Sequence, residues 1–98
     1  MDKAIALLEV QALTAAIAGL DAMLKAADVR LIHVEKRLGG RLVTIVIDGT
    51  VSAVTAAAEA GAQEADKVGS VKLCEVIPSL HEELIPFLYS DDLDDLDD

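Results

Sequence analysis

The hydrophobic pattern of this chain passes twice through the same order of periods, and that repetition limits the fold more than any single motif. Residues 4–10 (AIALLEV) are short, mostly apolar and strand-like. Across 11–27, Leu13, Ala16, Ile17, Leu20, Met23, Leu24 and Ala27 recur at spacings of three and four, one face of a helix. Asp28 ends it, and 29–34 (VRLIHV) alternates as a strand does. The second pass opens on 42–47 (LVTIVI), dense in β-branched residues and read as a central strand. Asp48-Gly49-Thr50 reads as a turn, with Thr50 placed to cap a helix over 51–67. The face of that helix is nearly all small: Val51, Val54, Ala57, Ala58, Gly61, Ala62 and Ala65. Gly69 is its stop signal, and 71–77 is a fourth strand that Pro78 closes.

The order is β-α-β-β-α-β, with a hairpin turning at Gly39-Gly40. This is the α+β split βαβ (ferredoxin-like) plan, a four-stranded antiparallel sheet with two helices on one face. The other sheet face is then covered by a partner subunit or by the C-terminal segment, or it stays wet. Residues 80–88 read as one short C-terminal helix, with Ser79 as its cap and Glu82 and Glu83 in its first turn, where the helix dipole favours acids. Pro86 is expected to cut that helix short.

Composition adds that the core is built from small parts. Apolar residues make up 53% of the 98, yet Phe87 and Tyr89 are the only aromatics. Small side chains bury little area each and let backbones approach closely, which suits a domain that completes its core by associating with copies of itself. Net charge is −10, and six aspartates lie in the last eight residues, leaving −4 for the rest. Residues 1–89 are thus read as one domain, and 90–98 as an acidic, self-repelling tail expected to be disordered. No basic stripe is available for nucleic acid, and an acidic surface opposes anionic membranes. The N-terminus has neither a signal-peptide pattern nor a long apolar run, and no stretch approaches the ~20 residues of a membrane span. Cys74, the single cysteine, rules out an intrachain disulfide framework and is expected to be small and buried in its strand.

Three segments in order, AIAGLDAMLKAADV, LVTIVIDGTV and VIPSLHEEL, resemble the single-domain bacterial microcompartment (BMC) shell protein family over residues 4–85 or so. The resemblance implies the same split βαβ fold, assembled into flat cyclic homo-hexamers. Those hexamers tile with neighbouring hexamers and other shell proteins into a layer around enzymes, with a pore on the sixfold axis for small metabolites. It places the protein in the microcompartment shell within the cytoplasm and implies no cofactor, no metal and no catalytic residue. Lys25 falls where the family keeps an edge lysine that donates across the seam between hexamers, and Asp21 is one turn away as an i,i+4 partner. Pro78, Ser79 and His81 match a second edge segment. Ser79 departs from it, because many relatives place an arginine there. The pore loop departs as well: Arg37, Leu38, Gly39, Gly40 and Arg41 form a loop one residue longer than the usual Gly-Ser-Gly type. Glycines suit a pore rim because bare backbone can approach the axis. An inward Arg37 or Arg41, repeated six times, would favour anions; paired with Glu35 or solvent, it would be a hairpin charge only.

Two other classes are weighed. A small oligomeric regulatory module on the same fold would bind an anionic metabolite at a subunit interface, but no ligand cleft is legible. An enzyme of this fold, such as a phosphatase, would need chemistry that is missing: there is no Gly-rich phosphate loop, no Cys/His metal spacing and no nucleophile elbow. His33 and His81 are isolated in sequence, and Cys74 has no evident base.

Overall fold

The computed structural model describes residues 4–89; the acidic tail over 90–98 lies outside the described residues. Strand β1 (Ala4–Gln11) leads into helix α1 (Leu13–Ala26), then β2 (Arg30–Arg37), β3 (Leu42–Gly49), helix α2 (Val51–Asp66) and β4 (Val71–Ile77). A short 3-10 turn (Glu82–Leu84) and a four-residue helix α3 (Ile85–Leu88) follow. The sheet order is β2-β3-β1-β4 with every pairing antiparallel, the split βαβ arrangement expected from the repeated pattern.

Alternation along the two central strands separates two cores. Ala6, Leu8 and Val10 of β1, with Val43, Ile45 and Ile47 of β3, face the helices and meet Ala15, Met23, Val54 and Ala57. Small residues set the distance between the helices. A Cβ on Gly19 would lie 3.1 Å from the Gly61 carbonyl oxygen, so α1 and α2 cross nearly backbone to backbone. Ile5 and Val46 point the other way, and Ile32 joins them where the β2–β3 register shifts between Leu31 and His33. Leu80 covers this second cluster, with Ile85, Leu88 and Tyr89 packed beside it. The C-terminal segment therefore supplies cover for the face that carries no helix.

Several local expectations are corrected. Gln11 belongs to β1 and pairs with Leu42, so α1 starts at Leu13, after Ala12 turns the chain at φ 84°. Thr50 does cap α2, its hydroxyl accepting from the Ala53 N–H at 3.1 Å. Asp48 is not a turn residue: it continues β3 and is 2% exposed. His81, not Ser79, caps the C-terminal turn, its Nδ1 accepting from the Glu83 N–H at 3.1 Å. Pro86 stands in the first turn of α3, where a missing N–H costs nothing, so it opens that helix instead of cutting it. Cys74 is exposed on the edge strand β4, with Sγ 3.7 Å from the Ala58 carbonyl.

Gly69 closes the α2–β4 turn against β1. A Cβ there would sit 2.4 Å from the Gln11 carbonyl oxygen and 2.9 Å from Ala15 Cβ. Backbone on one side and a buried helix residue on the other leave no easy relief. Gly69→Ala is therefore expected to destabilise the fold by about 2 kcal/mol, in the range of overpacked cores. Urea unfolding followed by circular dichroism tests this, and a midpoint equal to wild type would refute it.

Candidate functional site

The hairpin between β2 and β3 ends in a tight left-handed turn. Leu38, Gly39 and Gly40 have φ of 56°, 66° and 88° in succession. Glycine adopts this conformation freely, whereas Leu38 carries strain there and projects its side chain, 67% exposed. Arg41 braces the turn: its backbone N–H and its Nε donate to the Leu38 carbonyl at 3.3 and 3.0 Å. Arg37 forms an ion pair with Glu35 on the same strand. The five loop residues thus sit together at one hairpin tip, yet their two guanidinium groups differ. Arg37 has a carboxylate partner, whereas among the described residues Arg41 has only the Leu38 carbonyl, which leaves its charge uncompensated.

The loop is tied to the start of α1. The Ala12 N–H donates to the Arg41 carbonyl at 3.1 Å, and a Cβ on Gly40 would lie 3.8 Å from Leu13 Cβ. At the other end of α1, Lys25 Nζ meets Asp21 Oδ2 at 2.9 Å, both side chains exposed. Pro78 and Ser79 are exposed just beyond β4, and the chain then turns Leu80 into the cluster on the helix-free face. His81 is exposed beside it. Asp21 and Lys25 are thus carried on the helix side of the sheet, while Pro78, Ser79 and His81 flank the residue that enters the helix-free face.

One feature escaped the sequence reading. Asp48, buried on the helix-free face, receives Arg30 Nε at 3.2 Å on Oδ1 and an Arg30 terminal nitrogen at 2.8 Å on Oδ2. The Tyr89 hydroxyl donates to the same Oδ2 at 2.5 Å. This carboxylate fastens the last described residue to the sheet. The bond to Asp48, followed by the carboxylate's charge, raises the Arg30 guanidinium further. Burial first, then the bond to Asp48, raises the Tyr89 phenol well above its ordinary value of 10.0. A raised phenol stabilises the fold fully below the unfolded value of about 10, and that contribution is lost as pH climbs through the folded value. Tyr89 is the one tyrosine, and there is no tryptophan, so near-ultraviolet absorbance reads it directly. The native protein is expected to form tyrosinate at distinctly higher pH than the urea-unfolded chain; superimposable titration curves would contradict the anchored hydroxyl.

The remaining reactive side chains are not gathered. His33 lies in β2 with Nδ1 buried and without a hydrogen-bond partner among the described residues, whereas His81 lies beyond β4. Burial raises the Cys74 thiol, with Glu75 and Glu59 adding to it, the reverse of an activated nucleophile. Among the described residues, no group of three or more His, Cys, Asp or Glu is placed to hold a metal ion, and no helix is long and apolar enough to cross a membrane.

Comparison with known proteins gives this arrangement its context. Residues 4–80 match the BMC domain. The bacterial microcompartment shell protein PduA of Citrobacter freundii is 46% identical over 87 residues, spanning 86% of this chain and 92% of that protein. The shell protein EutM of Salmonella typhimurium is 40% identical over 93 residues, spanning 92% and 96%. Among solved structures, a microcompartments protein from Desulfitobacterium hafniense DCB matches with a TM-score of 0.80 at 30% identity over 92% of this chain. The match covers 48% of that longer chain, so this one spans about half its length. The fold and the sequence kinship agree, and the chain belongs to the BMC-domain family as a microcompartment shell protein and not as an enzyme.

Proposed function

We propose that residues 1–89 form a single shell domain that closes into a cyclic homo-hexamer, with 90–98 as an acidic extension. The hexamers tile laterally with one another and with other shell proteins around enclosed enzymes, and the Arg37–Arg41 loop lines a pore for small metabolites. One observation carries the reading: α1 separates the two candidate functions. Its first residue, Leu13, lies beside Gly40, and Lys25 stands in its last turn. Fourteen helical residues span about 21 Å, so loop and lysine are at opposite ends of one rigid rod. A flat ring needs that layout, with the pore at its centre and the tiling contact at its rim.

Within this reading Arg41 selects the solute. Arg37 spends its charge on Glu35, while Arg41 keeps its own, so six copies give the rim a positive field that favours small anions and opposes cations. Gly39 and Gly40 present bare backbone to the same opening. Leu38, apolar and projecting, narrows it. Asp21 and Lys25, with Pro78, Ser79 and His81, form the rim.

Light scattering of the purified protein, with electron microscopy of the same peak, tests the proposal. Sixfold rings that join edge to edge support it. A single chain, dimer or trimer at working concentration would overturn it.

A further inference from the structure

Four cations among the described residues are already paired: Lys25, Arg30, Arg37 and Lys67 each meet a carboxylate. Arg41, exposed at the hairpin tip, has only the Leu38 carbonyl among those residues. Lys36 pairs with Val43 of the helix-side core and so stands on the helix side of the sheet. Lys72 precedes Leu73, whose neighbour across the ladder is Glu9, and Glu75 follows two residues on, so acids flank it. Arg41 instead stands beside Leu38, 67% exposed, which makes the tip both basic and apolar.

The sequence beyond Tyr89 has the matching character. It reads SDDLDDLDD, with paired aspartates separated by Leu93 and Leu96, an acidic and apolar alternation that suits a basic and apolar surface. Its starting point is fixed, because the Tyr89 hydroxyl is held by Asp48 on the helix-free face. Asp48 and Leu42 lie six residues apart on β3, about 20 Å, and Arg41 adjoins Leu42. Nine residues cover about 30 Å at full stretch and average about 17 Å as a flexible chain. A tether whose mean length is close to the gap gives its end the highest effective concentration. The ground between opposes an earlier stop. Thr44 pairs with Glu9 on one side and Glu35 on the other. These residues alternate with Val43 and Ile45 of the helix-side core, so both carboxylates lie on the helix-free face between Asp48 and the loop, where they repel aspartates.

We propose that residues 91–98 dock on the hairpin tip, with the last aspartates on Arg41 and Leu96 against Leu38. The tail then acts as a tethered anion that competes with small anions for the charge that selects them. This consequence rests on the pore reading above, whereas the contact itself is within reach of a single chain. Salt weakens the contact, so the loop's preference for anions depends on whether the tail is docked.

The test places a reporter thiol at the tip of the full-length chain. In a Cys74→Ser background, Leu38→Cys is treated with methanethiosulfonates that carry either a sulfonate or a trimethylammonium group. The buffer holds about 0.1 M salt, where charges more than about 10 Å away are screened, so an undocked tail has little effect. The comparison is a chain of the same length carrying Asp91→Asn, Asp92→Asn, Asp94→Asn, Asp95→Asn, Asp97→Asn and Asp98→Asn. Neutralising the tail is expected to raise the rate with the anionic reagent about tenfold relative to the cationic one. With Arg41→Gln added to both proteins, that gain is expected to fall to about twofold or less. A rate ratio that neutralisation leaves unchanged, or changes equally with and without Arg41→Gln, would overturn the docking. Light scattering of the same samples reads the ring separately. A single chain whose reporter still responds through Arg41 would sink the pore reading and leave the contact standing.

Discussion

Asp48→Ala is expected to destabilise the domain by about 3 kcal/mol, lowering its melting temperature by roughly 15 °C. The carboxylate is 2% exposed and holds a charge-assisted bond from Tyr89 at 2.5 Å. Bonds of this kind contribute about 1.5–3 kcal/mol, and half-burial of the tyrosine places this one at the low end. The two bonds from Arg30 add less than their number implies. That side chain is 67% exposed, and water takes over its donors once the carboxylate is gone. The rest comes from the void left beneath the C-terminal segment. Tyr89→Phe is expected to cost about 1.5 kcal/mol alone and almost nothing on top of Asp48→Ala, because both changes remove one bond. Thermal melts give the energies. Limited proteolysis gives the location: cleavage within 78–89 is expected to rise in the alanine variant. A wild-type melting temperature with unchanged cleavage would show that the segment is held by Leu80 and Ile85 alone.

Asp48 also shows where sequence reading stops. Strands and helices were legible because their signals are local: a short apolar run for β1, alternation for β2, β-branched density for β3, and spacings of three and four for α1 and α2. Asp-Gly after LVTIVI has the local signature of a turn, and nothing local reports that a cation from β2 and a phenol from residue 89 converge on the aspartate. The same limit explains Gln11. Its polarity favours the start of a helix, yet pairing with Leu42 across the sheet extends the strand by one residue, and Ala12 takes up the turn. The apolar sequence neighbours of Cys74 imply burial. β4 is an edge strand, and no sequence period says which strand of four will be an edge. At the C-terminus, Pro78-Ser79 looked like a cap because serine is a good one, but the turn begins later and His81 takes the role. The five loop residues and the Asp21–Lys25 couple were nameable in advance through family resemblance. Their physical state was not: that Arg37 is neutralised by Glu35 while Arg41 grips a carbonyl depends on the turn that three successive positive φ values impose.

Lys25→Ala is expected to leave rings intact and to prevent their extension into sheets. The side chain is 76% exposed in the isolated chain and makes no contribution to either core, so folding has little to lose. The Asp21 pair is a surface i,i+4 couple worth a few tenths of a kcal/mol; its use is to hold the ammonium in one orientation at the end of α1. At a seam between two rings related by a twofold axis, each contact contains two such lysines. Losing about 0.7 kcal/mol for each weakens one seam roughly tenfold. The proposed hexamer has six seams, and a lattice forms only when several engage together, so a tenfold loss per seam compounds into loss of the sheet. Ser79 sharpens the expectation. The family resemblance implies an arginine at this position, and the short hydroxyl side chain here would leave Lys25 a larger share of the proposed seam. Asp21→Asn, which frees the lysine without removing it, is expected to slow tiling and not abolish it. Electron microscopy and sedimentation of preparations matched for ring mass decide the matter. Sheets from Lys25→Ala rings as extensive as those from wild type would move the tiling contact away from α1 and onto the Pro78–His81 segment.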